Sequence, residues 1–277
     1  MSESANAWSL LDPVSKVGYQ LEFEDTFDGD RLDEEHWFPY HLPHWSSREA
    51  SAARYELGDG CLRLLIARDQ PPWCPEFDGQ VRVSSLQTGV FAGPIGGAVG
   101  QHRFNPRAVV RQAQPNTRLY TPQYGLFELR AKAIDDPRNM VALWMIGYED
   151  KPNRSAEICI CEIFGRDVAA ESVRVGMGVH PFGDPTINDE FSAETLPMDA
   201  RDFHVYAAEW TPDHVAFFVD NQLVKTVQQS PSYPMQFMLG IYEFPDKAES
   251  ALPPGRYPKQ FVIDSFRGYG AVGRRPG

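Results

Sequence analysis

Short runs of β-forming residues separated by turns are the feature that most limits how this chain can fold. Over most of its length, apolar residues alternate with polar ones or form brief continuous runs, as is typical of strands. Helical patterns are confined to residues 32–37 and 198–203, each long enough for one or two turns. Many short strands predict an all-β fold, a β-sandwich of jelly-roll type. The clearest strand patterns are residues 60–68, 80–89, 124–134, 140–147, 173–180, 203–210, 214–227, 235–242 and 260–269.

The chain length of 277 residues suits one large β domain or two ordinary ones. Glycine (22) and proline (23) are plentiful, which favours frequent turns, but no stretch is rich enough in them to be a linker. We therefore expect a single domain over residues 1–277, with its core at about residues 18–270. Within residues 214–227, the pair Asp220-Asn221 separates two strand-like halves and predicts a hairpin.

The formal net charge of −12 argues against nucleic acid or an anionic membrane as the main partner. Binding to phosphates needs clustered lysine and arginine, which this chain lacks. It also has no apolar run of the roughly 18 residues needed to cross a membrane. The start, MSESANAWSLLDPVSK, lacks the basic and apolar regions of a signal peptide. A cytoplasmic protein and a secreted one whose signal has been removed both stay open.

The four cysteines, Cys61, Cys74, Cys159 and Cys161, are too few for a disulfide scaffold. In a regular strand Cys159 and Cys161 lie on one face, where their geometry is too constrained for a bridge between them. A zinc site is conceivable, but no second cysteine or histidine pair accompanies them.

The segment 92–123 is long, rich in glycine and proline at its start and polar at its end. Its stretch GPIGGAVG (93–100) lacks both the GK[ST] ending and the following helix of a phosphate-binding loop. Long loops in compact domains are commonly functional, so we expect this segment to form a rim.

The stretch EICICE (157–162) places a carboxylate at each end of an apolar strand. Regular alternation points Glu157 and Glu162 to opposite faces, whereas one β-bulge between them returns both to the same face. Two carboxyls about 5–5.5 Å apart are what retaining glycoside hydrolysis requires, one as nucleophile and one as acid. An edge strand with two surface glutamates is the alternative that spacing alone leaves open.

The wider sequence resembles glycoside hydrolase family sixteen, whose bulged catalytic motif reads Glu-x-Asp-x-x-Glu. The stretch AEICICEIFG is similar to that motif, and the flanking segments resemble the family's other strands in the right order over about residues 18–270. These segments are LEFEDTFDGDRLDEEHW, YGLFELRAK, NMVALWMIG, FHVYAAEWTPDHVAFFVDNQLV and FVIDSFRGY. The resemblance implies a concanavalin A-like jelly roll whose concave sheet carries the cleft.

Residue by residue, the resemblance implies Glu157 as nucleophile and Glu162 as general acid/base. It further implies that Trp144 helps to form the cleft floor and that His180 lies near the bound sugar. Trp144 as a core aromatic and His180 as a structural strand-end residue are the alternatives. No cofactor is expected to be needed for the chemistry.

Cys159 stands where the family has an aspartate that is hydrogen-bonded near the nucleophile. A thiol is a weak donor and is usually neutral at pH 7. Without a like charge beside it, we expect a lowered pKa for Glu157, which keeps the nucleophile ionised. Activity with a shifted pH optimum and strongly reduced activity both stay open.

Aromatic side chains suit sugars because they offer an apolar face with a polar edge. The segment WFPYHLPHWSSREA (37–50) offers Trp45, Tyr40 and His41 as rim residues for sugar stacking, and a packed loop is the alternative. The resemblance also implies a structural calcium on the convex face, with Asp264 as a ligand and backbone oxygens near Glu24 completing the site.

The bulged motif is typical of laminarinase-like members, so the expected function is a retaining endo-β-1,3-glucanase, with mixed β-1,3/1,4-glucan as the next substrate. We expect a monomer acting on a polysaccharide or oligosaccharide. Three alternatives stay open. A weak or inactive carbohydrate-binding homologue would bind oligosaccharides without turnover, and a glycan transglycosylase would redistribute chain lengths. A cysteine-based hydrolase lacks any local signature here.

Overall fold

Two antiparallel sheets contain nearly all strands of the chain in the computed structural model, which describes residues 17–245 and 255–272. The residues from which the absence of a signal peptide is predicted, 1–16, lie outside the described part. Among the described residues, no helix has the length and apolar character needed to cross a membrane.

The strands are numbered in chain order, and two short α-helices lie between them. The strands are β1 (Tyr19–Asp25), β2 (Arg54–Gly58), β3 (Cys61–Ile66), β4 (Arg82–Gln87), β5 (Gly89–Val90), β6 (Thr117–Arg118), β7 (Gly125–Lys132), β8 (Asn139–Gly147), β9 (Glu157–Phe164), β10 (Val168–Ala169), β11 (Ser172–His180), β12 (Glu190–Leu196), β13 (His204–Trp210), β14 (Val215–Val219), β15 (Gln222–Val227), β16 (Met235–Glu243) and β17 (Lys259–Ala271). The α-helices are α1 (Arg48–Ser51) and α2 (Pro75–Asp78), and Pro43–Trp45 and Gly165–Asp167 form single 3₁₀ turns.

The back sheet has the strand order β15-β14-β13-β7-β17-β3-β2, and β1 pairs with the second half of β17. The front sheet has the order β10-β11-β9-β8-β16-β4, with β12 paired to β11. Strands β5 and β6 form a separate small ribbon. The catalytic-motif strand β9 therefore lies inside the front sheet, between β8 and β11, and is not an edge strand.

The main hydrophobic core lies between the two sheets. At its centre the ring of Phe237 from the front sheet lies 4.9 Å from those of Phe127 and Phe266 in the back sheet, centroid to centroid. All three side chains are fully buried. Because strand side chains alternate between faces, filling this core leaves the other face of the front sheet to the loops and the cleft.

A second apolar cluster covers part of that other face. Trp144 and Met238 of the front sheet pack there with Trp45 and Trp73 from the loops that precede β2 and β4. The front sheet is therefore buried on both sides over much of its area, which explains the continuously buried pattern of β8 and β16.

The predicted all-β sandwich and all nine strand patterns are confirmed. The Asp220-Asn221 hairpin is confirmed as well, since both residues have left-handed backbone angles (φ 47° and 66°), as a two-residue turn requires. Residues 32–37 and 198–203 form hydrogen-bonded turns rather than helices. The sequence patterns did not reveal β2 or β12, whose side chains are all at least partly exposed.

Candidate active site

Strand β9 points Glu157 and Glu162 to the same face because a bulge interrupts its alternation. Successive residues of β8 pair with Cys159 and then with Cys161, so Ile160 is an additional residue in β9. The pairing with β11 on the other side shows the same irregularity. The predicted bulge is confirmed, and both carboxyl side chains line one pocket.

The bulge also separates the two thiols of the motif. Cys159 lines the pocket, whereas Ile160 and Cys161 both belong to the core between the sheets. The expectation that Cys159 and Cys161 share a face is therefore wrong, because it applied regular alternation across the bulged position. All four cysteines of the chain are free and buried.

The neighbouring strand β11 accommodates the bulge with a glycine. Gly178 pairs with Cys159 and has φ +146°, which a residue with a side chain rarely adopts. A Cβ atom at this position would lie 2.2 Å from the carbonyl oxygen of Glu190. Glycine is therefore required opposite the bulge.

Glu157 is 9% exposed, and burial raises the pKa of its carboxyl from 4.5 to about 8. The nearby charges of Glu162 and Asp189 raise this pKa further. The expectation that Glu157 stays ionised at neutral pH is wrong, because burial outweighs the loss of a charged neighbour at position 159. In the free protein the first carboxyl of the pair holds its proton.

The thiol of Cys159 lies between the two carboxyls on the pocket face and is 1% exposed. Burial, followed by the charges of Glu157 and Glu162, raises the pKa of this thiol well above its ordinary value. Its Sγ lies 3.9 Å from the carbonyl oxygen of Gly176, a weak hydrogen bond at most. Cys159 is therefore a neutral, weakly polar neighbour, as expected.

Trp144 and Tyr242 form part of the pocket floor. Trp144 pairs with Cys159 across the β8–β9 ladder, and its Nε1 donates a hydrogen bond to the hydroxyl of Tyr242 at 3.0 Å. Both side chains line the pocket although each is only 7% exposed. The structure therefore places Trp144 in the second apolar cluster and at the cleft floor at the same time.

His180 pairs with Glu157 across the β9–β11 ladder and lines the same pocket. Its Nδ1 lies 3.0 Å from Oδ1 of Asp189, and its ring stacks on Phe191 at 4.7 Å. These two contacts fix the imidazole beside the carboxyl of Glu157. Asp189 was not identified from the sequence.

The pocket has a volume of about 350 Å³, and loops form much of its wall. His102, from the segment 92–123, lies between the rings of Trp144 (4.9 Å) and Phe182 (4.8 Å). Burial lowers the pKa of His102 to about 4, so this imidazole is neutral. The prediction of a rim from this segment is confirmed, but sequence reasoning missed His102, Phe182, Trp73, Phe104 and Phe244.

The three rim residues predicted from segment 37–50 have different outcomes. Trp45 is fully buried, and its Nε1 donates a hydrogen bond to the carbonyl oxygen of Gln101 at 2.8 Å. The prediction that Trp45 is exposed at the rim for sugar stacking is therefore wrong. Tyr40 packs against Phe38 and the Arg48 guanidinium and does not line the pocket. His41 lines the pocket from a buried position, where burial lowers its pKa to about 3.

The two carboxylates at the expected calcium position are both paired with arginines. Asp264 forms an ion pair with Arg130 at 2.7 Å and accepts a hydrogen bond from the Ser265 hydroxyl at 2.8 Å. The carboxylate of Glu24 pairs with Arg267 at 2.6 Å. Within residues 17–245 and 255–272, no group of three or more histidine, cysteine, aspartate or glutamate side chains is arranged to hold a metal ion.

The fold and the pocket together define a β-sandwich whose front sheet carries a carboxyl pair in a cleft. A model of the family described as Glycosyl hydrolases family 16 matches residues 115–255, half of the chain. The chain belongs to this family. The match includes β9 with both carboxyls, both neighbours of β9 in the front sheet, and the hairpin β14–β15.

Two protein relatives match shorter segments of the chain. A β-glucanase of Rhodothermus marinus is 33% identical over 108 residues, which is 36% of this chain and 36% of that protein. A Crh-like protein of Arthroderma benhamiae is 28% identical over 90 residues, which is 30% of this chain and 19% of that protein. The matches therefore span about a third or less of the length of these relatives.

Solved structures match nearly the whole chain. A GlcNAcα1-4Gal-releasing endo-β-galactosidase of Clostridium perfringens has a TM-score of 0.81 and 31% identity, covering 96% of this chain and 66% of that one. The catalytic domain of a Thermotoga petrophila laminarinase has a TM-score of 0.63 at 18% identity, covering 92% and 99%. The second similarity confirms the jelly-roll fold.

The raised pKa of Glu157 predicts a pH-dependent difference in stability between the wild type and Glu157→Gln. The folded state keeps a proton on Glu157 that the unfolded chain releases above pH 4.5. The contribution of this carboxyl to the free energy of unfolding is therefore complete below about pH 4.5 and is lost as pH rises through about 8. We expect Glu157→Gln to gain stability relative to wild type as pH rises across this range, by about 1.4 kcal/mol per pH unit.

Urea denaturation of both proteins at pH 5, 6.5 and 8 measures this difference. Glu149, whose pKa is also raised to about 8, is present in both proteins and cancels. A difference in unfolding free energy that stays constant over this pH range would contradict the buried, protonated Glu157.

Proposed function

We propose that this protein is a retaining endo-glycoside hydrolase that cuts internal β-linkages of a glycan by double displacement. The observation that carries this proposal is the bulge at Ile160, which brings Glu157 and Glu162 to one face of a cleft in a family 16 fold. Retaining enzymes need two carboxyls on one cleft, with one acting as nucleophile and the other as proton donor.

In the first step a carboxylate oxygen of Glu157 attacks the anomeric carbon. The glycosidic bond breaks, and Glu162 gives its proton to the departing oxygen. In the second step Glu162 takes a proton from water, the water oxygen attacks the anomeric carbon, and the bond to Glu157 breaks. Both carboxyls return to their starting forms, and two inversions leave the configuration of the sugar retained.

The position of the shared proton is the electrostatic problem of this site. Attack requires the ionised form of Glu157, while burial and the charge of Glu162 favour its protonated form. Positive charge develops at the anomeric carbon in the transition state. This charge stabilises the ionised form of Glu157 during its attack. Two coupled carboxyls titrate as a pair, so the pH profile belongs to both.

Cys159, in this proposal, stands at the position of the family's aspartate and takes no part in proton transfer. It is neutral and almost completely buried, so it offers neither a charge nor an accessible nucleophile. His180 and Trp144 are proposed to contact the sugar beside Glu157, since both line the pocket next to this carboxyl.

The first candidate substrate is β-1,3-glucan, followed by mixed β-1,3/1,4-glucan. The β-glucanase relative at 33% identity supports it, although that match covers 36% of the chain. Structural neighbours named as laminarinases share the fold at 18–20% identity.

The second candidate is an internal β-galactoside linkage of a glycan that carries GlcNAcα1-4Gal. The endo-β-galactosidase of Clostridium perfringens is 31% identical over 96% of the chain, at a higher TM-score than the laminarinases. This similarity extends over 96% of the chain, whereas the β-glucanase match covers 36% of it. Of the two candidates, the galactoside therefore has the broader support.

Replacing either carboxyl tests the proposed pair. We expect Glu157→Gln and Glu162→Gln each to lower turnover by at least 1,000-fold, because a neutral amide neither attacks the anomeric carbon nor donates the proton. The measurement is reducing-end release from laminarin, lichenan, xyloglucan and a galactose-containing glycan with terminal GlcNAcα1-4Gal.

Glu171→Gln is a matched control, since it removes an exposed carboxyl that does not line the pocket. Wild-type activity that both glutamine variants retain would contradict the proposed roles. Binding without turnover would favour a carbohydrate-binding homologue, and redistribution of chain lengths would favour a transglycosylase.

Cys159→Ser tests whether the thiol takes part in the chemistry. The substitution keeps a small neutral side chain between the carboxyls, so we expect turnover within ten-fold of wild type and an unchanged thermal midpoint within a few degrees. A loss above 100-fold in a protein that is folded as judged by its thermal midpoint would instead support a cysteine-based mechanism.

A further inference from the structure

A second cavity of about 400 Å³ adjoins the catalytic pocket. His102 and Phe182 line both spaces, so these two side chains form the partition between them. The rest of its wall comes from the loop segments around Val99, Glu149 and Ser155 and includes the cationic residue Arg103. We call this space the side cavity, and none of the roles proposed above uses it.

A buried carboxyl belongs to the wall of the side cavity. Glu149 is 8% exposed, and one of its oxygens accepts a hydrogen bond from the backbone N–H of His102 at 2.5 Å. Burial raises the pKa of Glu149 to about 8, although this hydrogen bond opposes the shift. A protonated carboxyl acts as both donor and acceptor, so the wall carries a neutral hydrogen-bonding group.

Backbone strain is concentrated around the same space. His102, Glu149 and Phe182 have φ angles of 48°, 57° and 43°, in the left-handed region that residues other than glycine, asparagine and aspartate seldom occupy. Such conformations cost free energy and persist where the surrounding structure holds them, often at ligand sites. Here they direct three side chains towards one cavity.

The mouth of the side cavity is apolar. Phe182 is 50% exposed and Val99 is 45% exposed, on opposite loops. Inside, the Ser155 hydroxyl oxygen accepts the N–H of Gly183 at 2.9 Å, which leaves its own proton available to a ligand. An aromatic face with a few buried hydrogen-bonding groups is the composition expected of a sugar-binding pocket.

We propose that the side cavity binds one sugar unit of the same glycan whose linkage is cut in the catalytic pocket, with the sugar packed on Phe182 and hydrogen-bonded by Glu149 and Ser155. This proposal rests on the proposed function. The side cavity would thereby set which glycans are accepted by their length or branching.

Oligosaccharide binding to proteins that cannot turn over tests this proposal. All variants carry Glu157→Gln, and calorimetry measures affinity for laminari-oligosaccharides of two to six units and for galactose-containing oligosaccharides of the same lengths. Glu149→Ala removes the hydrogen-bonding group, while Val99→Tyr fills the side cavity without lining the catalytic pocket. We expect each to weaken binding of the longer members at least five-fold and to leave the shortest within two-fold.

Two matched controls accompany these variants. Glu149→Gln keeps a neutral donor and acceptor, and Ile95→Tyr adds the same ring to an exposed residue of the same loop outside the cavity wall. Both should bind all lengths within two-fold of the Glu157→Gln protein. Thermal midpoints show whether Glu149→Ala is folded, and Val99→Tyr decides the test if it is not.

The outcomes separate the side cavity from the proposed function, which hydrolysis by the wild type decides. If the wild type hydrolyses a glycan and the variants lose affinity equally, or not at all, for oligosaccharides of every length, only the proposed role of the side cavity is overturned. If the variants lose affinity only for the longer oligosaccharides and the wild type hydrolyses no glycan, the proposed hydrolase activity is overturned, and the side cavity is part of the binding site of a carbohydrate-binding protein. If none of the oligosaccharides binds to the Glu157→Gln protein, the proposed role of the side cavity is overturned.

Discussion

The bulge at Ile160 is the constraint on which the rest of this site depends. If β9 alternated regularly without the bulge, Glu162 would point into the core between the sheets, where burying a carboxylate is very costly. With it, Ile160 and Cys161 fill that core, and Glu157, Cys159 and Glu162 face the cleft. The positions of both carboxyls therefore follow from how the apolar residues of one strand are buried.

Burial then sets the chemistry that this face can perform. The same low-polarity surroundings raise the pKa of Glu157 and Glu149 and lower that of His41 and His102, so each group favours its neutral form. A cleft of neutral groups gains most from charge that develops during a reaction, because little water screens it. This is the physical reason for assigning the carboxyl pair to catalysis.

The fold was largely predictable because short-range patterns determine it. Alternating runs identified nine strands, and the left-handed Asp220-Asn221 pair identified a hairpin. The bulge followed from the parity of the motif, since four residues lie between the two glutamates and regular alternation would put them on opposite faces. Cys159 and Cys161 lie on either side of the same bulge, and for this reason the prediction that they share a face was wrong.

The walls of the site were far less predictable, since they depend on contacts distant in sequence. Trp45 was expected at the rim, but the segment after residue 92 covers it and provides the carbonyl of Gln101 as acceptor. Asp264 was expected to bind calcium, but Arg130 of a neighbouring strand pairs with it. His102 has no local signal beyond its place in a long loop, because only the folded chain brings it to Trp144.

The configuration of the first product tests the central claim most directly, because it reports how the two carboxyls share the reaction. Proton NMR of the anomeric signal during the first minutes of hydrolysis, on whichever β-linked glycan is cut, distinguishes the β-anomer from the α-anomer. The account predicts that the β-anomer appears first and the α-anomer only later, by mutarotation. An α-anomer formed first would mean inversion and would contradict Glu157 as a nucleophile paired with Glu162.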